Sequence, residues 1–377
     1  MSMDVSRMPK LGFGLMRLPH KNGEVDHAQV RNMVDAYMKA GFNYFDTAYV
    51  YDGGRSETAI REALVKRYPR DSFFLTDKLP GWMLKSEADR DRIYAEELER
   101  CGVEYFDVCL LHSLEEGINY DNTEKYDCFE WLKRQKENGR AKNIGFSFHG
   151  SPALLEKILT EHPEIDIVQV QLNYLDWTSP VIRADQVYEI LRRHDKPIIV
   201  MEPVKGGTLA NLPKEAEDVF SALRPDMSAA SWALRFVGSL PGVVTILSGM
   251  SNEAQMEDNL KTFTGFEPLS AAEQDAVGEV RRILVGGDRV QCTACRYCCD
   301  GCPMSIDIPE VFKALNDVRL NGMNDRVRGY YDNFIGNRAK AADCIACGQC
   351  ESVCPQHLGI ISLMKEAAKV FDGVEKD

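Results

Sequence analysis

The sequence predicts an α/β fold: a closed (β/α)8 TIM barrel followed by a small, mainly helical domain. Two observations carry the prediction. Short apolar runs alternate with longer amphipathic segments from about Leu11 to Phe263, eight times over. Beyond them the pattern changes, and nine of the chain's twelve cysteines crowd into residues 292–354. With 377 residues the chain has length for one large domain and a smaller one, each burying its own core.

The apolar runs are Leu11–Met16, Phe42–Ala48, Phe73–Leu79, Phe106–His112, Asn143–Phe148, Ile167–Asn173, Pro197–Pro203 and Val243–Met250. Each is short and rich in β-branched or aromatic residues, as strands buried on both faces are. Helical spacing fills the gaps. Glu57, Ile60, Ala63, Leu64 and Arg67 form one such segment, and Ile93, Glu96, Glu97 and Arg100 another. Leu154, Leu155, Ile158 and Leu159 follow Ser151-Pro152, a cap and first-turn pair, while Val187, Ile190 and Leu191 mark a further helix. Eight evenly spaced strand–helix units over about 250 residues favour closure over a doubly wound open sheet.

After Phe263 a helical stretch, Ser270 to Val285, leads through Gly286-Gly287, a hinge or cap by composition, into the cysteine region. Ile308, Val311, Phe312, Leu315 and Val318 then repeat at helical spacing, predicting two short helices that start after Pro309 and after Gly322. The expected division is a barrel over residues 1–265, a helical connector over 266–285 and the cysteine-bearing domain over 286–377.

Cys292, Cys295, Cys298 and Cys302 follow C-x2-C-x2-C-x3-C spacing with Pro303 next, and Cys344, Cys347, Cys350 and Cys354 repeat it before Pro355. Two-residue gaps let one loop wrap three thiolates around three irons of a cubane. Zinc sites use four ligands in paired C-x2–4-C units, without two copies of four cysteines closed by proline. The expectation is two 4Fe–4S clusters in a ferredoxin-like domain. In two-cluster ferredoxins the fourth cysteine of each run crosses to the other cluster. By that rule Cys292, Cys295, Cys298 and Cys354 hold one, and Cys344, Cys347, Cys350 and Cys302 the other. Cys299 falls outside the register, and Cys101, Cys109 and Cys128 read as plain buried thiols.

Barrel chemistry sits at the C-terminal ends of strands, so polar residues ending apolar runs are the place to look. The second run ends in Phe45-Asp46-Thr47-Ala48 with Tyr51 just beyond, the third in Thr76-Asp77-Lys78, the fourth in Leu110-Leu111-His112. Singly, each residue has an ordinary structural role: a helix cap for Asp46, a loop aromatic for Tyr51, a satisfied buried histidine for His112. Jointly, Asp46, Tyr51, Lys78 and His112 are harder to dismiss. A phenol has an unperturbed pKa near ~10. A neighbouring ammonium is expected to lower it, with an aspartate holding that ammonium charged and in place. A histidine alongside orients the substrate oxygen. Together they would protonate a carbonyl oxygen while hydride or electrons reach its carbon.

On these residues, Asp46 and Tyr51 in FDTAYVYDGGRSE, Lys78 in LTDKL and His112 in LLH, the stretch 8–263 resembles the aldo-keto reductases. The cysteine tail makes the chain similar to the subgroup with a C-terminal two-cluster 4Fe–4S ferredoxin-type domain. The resemblance implies that Tyr51 is the proton donor, His112 the substrate orienter, and Lys78 and Asp46 the groups that tune the donor. It also implies a nicotinamide site without a Gly-x-Gly-x-x-Gly fingerprint. Ser147 and Gln169 match residues that hold the carboxamide, and Ser248, Gly249, Ser251, Gln255, Asp258 and Asn259 match the phosphate and adenine segment.

Three departures stand out. Phe148 replaces an Asn beside the carboxamide, Met201 replaces an aromatic on the nicotinamide ring, and no Arg or Lys lies between Ser248 and Asn259 to meet a 2′-phosphate. A bound dinucleotide is therefore expected to be NAD(H) rather than NADP(H). In one version nicotinamide supplies hydride and the clusters connect it to an external carrier. In the other, nicotinamide has been lost and electrons arrive singly.

The function expected is an oxidoreductase acting on a small carbonyl or alcohol, with a ferredoxin- or flavodoxin-type carrier as electron partner. The contrasting class is a non-catalytic electron carrier or redox sensor using the barrel as a docking platform. A net charge of −13 disfavours nucleic-acid and anionic-membrane partners. No apolar run approaches the ~20 residues of a membrane span, and Asp4 and Arg7 interrupt the N-terminal stretch, so the chain reads as cytoplasmic.

Overall fold

Eight strands, one in each apolar run, form a ring. They are Leu11–Gly14 (β1), Tyr44–Asp46 (β2), Phe74–Pro80 (β3), Phe106–Leu114 (β4), Ala141–Phe148 (β5), Ile167–Gln171 (β6), Ile198–Met201 (β7) and Val243–Ser248 (β8). Each pairs in parallel with its neighbours in sequence, and β8 pairs with β1 to close the barrel. The computed structural model describes residues 5–179, 182–285, 289–321, 323, 325–335 and 339–375. The expected hinge at Gly286-Gly287 and the helix start at Gly322 lie outside the described residues.

Closure follows from side-chain alternation. Tyr44, Val108, Leu110, Ile167, Ile199 and Leu247 form one buried cluster with Met8, separate from the larger core that the strands' other face shares with the helices. This is the apolar filling of the barrel. Because successive side chains point to opposite faces, the residues two positions further along share its direction. Tyr44 is followed in this way by Asp46, Thr76 by Lys78, Leu110 by His112 and Ile167 by Gln169. An apolar layer is thus succeeded by a polar one toward the C-terminal ends. Gly145 belongs to the same construction: a Cβ there would lie 2.0 Å from the Ile167 carbonyl oxygen, so only glycine admits this approach of β5 to β6.

Helices occupy the predicted gaps. Ser151 caps Pro152–Glu161, its Oγ accepting from the Leu154 amide at 3.2 Å. Glu87–Cys101 and Ala184–Arg193 also form, and Ala271–Val285 realises the stretch expected from Ser270. The segment around Glu57–Arg67 differs from one continuous helix. Arg55–Ile60 is α-helical, and the next turn widens, with the Lys66 amide donating to the Arg61 carbonyl at 3.0 Å.

Contacts divide the chain into two units, Met1–Val204 with Glu217–Gly278, and Lys205–Ala216 with Glu279–Asp377. The second unit is built of short helices, among them Ile308–Asn321 and Ile360–Ala367, around a core that includes Val311, Phe312, Leu315, Tyr331, Met364 and Phe371. The segment Lys205–Ala216 joins this unit although the sequence reads it as part of the barrel. Among the described residues no helix is long and apolar enough to cross a membrane.

Candidate active site and cysteine cavities

β2, β3 and β4 bring three of the four expected side chains into one buried patch. Asp46, Lys78 and His112 are 2%, 1% and 3% exposed. Lys78 Nζ donates to Asp46 Oδ1 at 2.5 Å and to the Thr47 carbonyl at 2.6 Å. The fourth, Tyr51, comes from the turn after β2. Its ring centroid lies 4.8 Å from Lys78 Nζ and 5.7 Å from the His112 ring, which meets it edge to face. A small hairpin, His20–Lys21 with Glu24–Val25, secures that turn: His20 Nε2 and Arg55 bind Asp52 at 3.0 and 2.5 Å, and Arg55 reaches Glu24 at 3.2 Å. All four expected residues therefore share one site.

Its electrostatics depart from expectation at Tyr51. Burial first, then the charges of Asp46, Glu202 and Asp77, pushes the phenol well above its usual range, with Arg17 opposing. The anticipated lowering by Lys78 does not dominate, because the phenol is desolvated among carboxylates and Asp46 already engages the lysine. The phenol is held protonated. Burial, Lys78 and His149 push the His112 imidazole well below its usual value, keeping it neutral, and its Nδ1 has no partner among the described residues. Burial raises Asp46, and Lys78 pulls it back.

Residues that sequence reasoning passed over frame this patch. Trp82, just after β3, faces His112 at 5.2 Å and adds an aromatic wall there. Behind β3 lies a buried acidic group: Glu57, Asp77 and Glu97 are all 0% exposed, with Cys101 Sγ donating to Asp77 at 3.4 Å and Arg100 reaching Glu57 at 3.0 Å. Neither Glu97 oxygen has a partner among the described residues. Burial raises all three carboxyls. Asp77 in LTDKL signals this group, since the residue beside an inward strand lysine must point into the helix layer.

Of the expected nicotinamide contacts, Gln169 sits beside Asp46, with an Oε1 that has no partner among the described residues. That buried acceptor suits the amide of a carboxamide. Ser147, the register partner of Gln169, accepts from the Ser113 amide at 2.7 Å. Ser248 and Asn259 meet, Nδ2 donating to Oγ at 2.6 Å. Ser251 Oγ bonds the Gly249 carbonyl at 3.3 Å, its amide meets Gln255 at 2.7 Å, and Asp258 accepts from Ser228 at 2.7 Å. The cation missing between Ser248 and Asn259 is brought in from the turn after β1: a Cβ on Gly249 would sit 3.6 Å from Arg17 Cδ. Arg17 pairs with Glu202 at 3.5 Å.

Among the described residues the second unit contains two cysteine cavities, and all twelve cysteines are free of disulfides. One is lined by Cys292, Cys295, Cys298 and Cys354, the other by Cys302, Cys344, Cys347 and Cys350. Each takes three sulfurs from one run and one from the other, a donor set that fits a cubane. Cys299 lines neither. Cys101, Cys109 and Cys128 are fully buried in the barrel unit.

Comparison with known proteins identifies both parts of the chain. The model of the aldo/keto reductase family matches residues 10–282, and that of a 4Fe–4S dicluster domain matches residues 291–358. An uncharacterized oxidoreductase, YqkF, of Bacillus subtilis is 22% identical over 69% of this chain and 87% of its own. The L-galactose dehydrogenase of Arabidopsis thaliana is 24% identical over 74% and 91%. Among solved structures, aldo-keto reductase AKR11C1 of Bacillus halodurans in its holo form superposes with a TM-score of 0.59, at 23% identity over 72% and 91% of the two chains. An aldo/keto reductase of Klebsiella pneumoniae in complex with NADP and acetate gives 0.58, at 17% identity over 75% and 93%.

Proposed function

Because the chain belongs to the aldo/keto reductase family and carries a 4Fe–4S dicluster domain, we propose that it reduces a small carbonyl compound, or oxidises the corresponding alcohol, at Asp46, Tyr51, Lys78 and His112. The observation that carries the proposal is the Lys78 ammonium, buried between Asp46 and the face of Tyr51. In the reductive direction Tyr51 gives its proton to the carbonyl oxygen. Lys78 then stabilises the phenolate that remains, at a distance where water screens little. Asp46 keeps Lys78 charged and fixed. Neutral His112 donates one hydrogen bond to the same oxygen and orients it, with the Trp82 ring against the imidazole.

A bound nicotinamide, the iron–sulfur clusters, or the two in series supply the reducing equivalents. Cys292, Cys295, Cys298 and Cys354 would hold one cluster, and Cys344, Cys347, Cys350 and Cys302 the other. Gln169 and Ser147 would hold the carboxamide, with Ser248, Gly249, Ser251, Asp258 and Asn259 along the remainder. NAD(H) rather than NADP(H) is the dinucleotide proposed, since Arg17, the guanidinium beside Gly249, already faces the Glu202 carboxylate. A ferredoxin- or flavodoxin-type carrier is the proposed external partner.

The test uses anaerobically prepared, iron-loaded protein with a panel of small aldehydes and ketones, and with NADH, NADPH or a reduced ferredoxin as donor. Turnover with at least one donor is expected. Tyr51→Phe should lower it by roughly 10²–10⁴-fold, the usual weight of a general acid, with cluster spectra unchanged. Wild-type turnover in Tyr51→Phe would remove the phenol from the mechanism.

A further inference from the structure

The two cysteine cavities differ in their surroundings. Around Cys302, Cys344, Cys347 and Cys350 the remaining lining is apolar, including Met304, Ile306, Ile308, Ile345, Ile361 and Met364. Around Cys292, Cys295, Cys298 and Cys354 it includes Thr293, Arg296 and Gln356. The Arg296 charge is met by Asp307 at 2.9 Å. Gln356 brings a second cation: its Oε1 accepts from Lys205 Nζ at 3.1 Å, with Lys205 1% and Gln356 7% exposed.

The backbone holds that lysine where it is. Lys205 has φ +46°, in the left-handed region that a side chain rarely adopts. At Gly206 a Cβ would lie 2.2 Å from the Thr293 carbonyl oxygen, so the segment runs directly against the loop between Cys292 and Cys295. Such conformations persist only where the surroundings over-determine them. A long, flexible cation is thereby fixed beside one cavity, and among the described residues no cation lines the other.

We propose that Lys205 makes the Cys292/Cys295/Cys298/Cys354 cluster the higher-potential one of the pair, so that the first electron entering the domain settles there. Reduction adds one negative charge to a cluster and transfers no atom. A buried cation nearby stabilises the reduced form more than the oxidised form, and charge and hydrogen bonding around the sulfurs are what set these potentials. The second cluster, in its apolar cavity, lacks that stabilisation and takes its electron later. This inference rests on the reading that both cavities hold cubanes.

The experiment is an EPR-monitored titration of the iron-loaded full chain with dithionite, alongside iron and sulfide analysis. Two one-electron steps are expected, with Cys347→Ser assigning the lower step by altering its signal. In Lys205→Met the upper step should move to lower potential by about tenfold in its equilibrium constant, about 59 mV for one electron, while the lower step stays. Lys205→Arg should restore it. Gln356→Glu, which places a carboxylate beside Lys205, should lower the same step and gives an independent readout should Lys205→Met load iron poorly. Full iron content with both steps unmoved, or moving together, overturns the inference alone. A protein that takes up no iron overturns the underlying reading instead.

Discussion

Lys78 and Asp46 are each almost fully buried, so what matters is the cost of separating them rather than the strength of their attraction. Removing one partner of a buried pair strands the other, at about 3–5 kcal/mol. Lys78→Met should therefore lower the melting temperature clearly as well as abolish turnover, whereas Tyr51→Phe, at a half-buried residue, should leave melting nearly unchanged. Thermal unfolding of the two variants side by side checks this contrast. The three carboxyls behind β3 make a second residue-scale prediction. Burial pushes Asp77 up to about 7 and Glu57 up to about 9, above the carboxylate range of an unfolded chain. Raised carboxyl values mean that the folded state binds more protons. The stability they confer is full below about pH 4 and is lost as pH rises through about 7 and then about 9. Asp77→Asn should flatten the lower part of that decline in urea unfolding measured from pH 5 to 9. An unchanged slope would show that Asp77 is ionised in the folded protein.

At the scale of elements, strand register matters more than any single contact. Gly145 allows β5 to approach β6, and Ser147 and Gln169 are register partners two positions beyond that approach. Gly145→Ala must push the Ile167 carbonyl aside, an overpacking that typically costs 1–3 kcal/mol. The expected outcome is a lower melting temperature together with a weaker KM for any dinucleotide substrate. The strands were legible in the sequence because each is a short apolar run, and the four candidate catalytic residues because strand ends announce themselves by a change to polar. Trp82 and Arg17 were not legible. Each lies in a turn just past a strand, where side-chain direction depends on local backbone geometry that periodicity does not encode. Lys205 escaped for a similar reason: its neighbours Gln356 and Thr293 are far away in sequence, and no spacing links them.

For the whole molecule, two separate cores imply two separable stabilities. The barrel unit owns the larger core. The core of the cysteine unit is small, and Cys298, Cys350 and Cys354 are counted within it. Metal binding and folding are coupled in such domains. Stripping iron with a chelator under reducing conditions should therefore melt the helices of the cysteine unit first, leaving a barrel transition in calorimetry close to that of the loaded protein. A single merged transition, shifted as a whole, would mean that the barrel depends on the metal for its own stability.

The crossed allocation of sulfurs also bears on how the protein is made. A ribosome releases Cys292 through Cys302 long before Cys354, and a nascent chain halted anywhere between the two runs offers three thiols to one nest and a solitary one to the other. Neither nest is complete until the second run has emerged. Iron delivery to both nests must then wait until Cys354 has emerged, and a premature stop a few codons ahead of Cys354 spoils the nest laid down first.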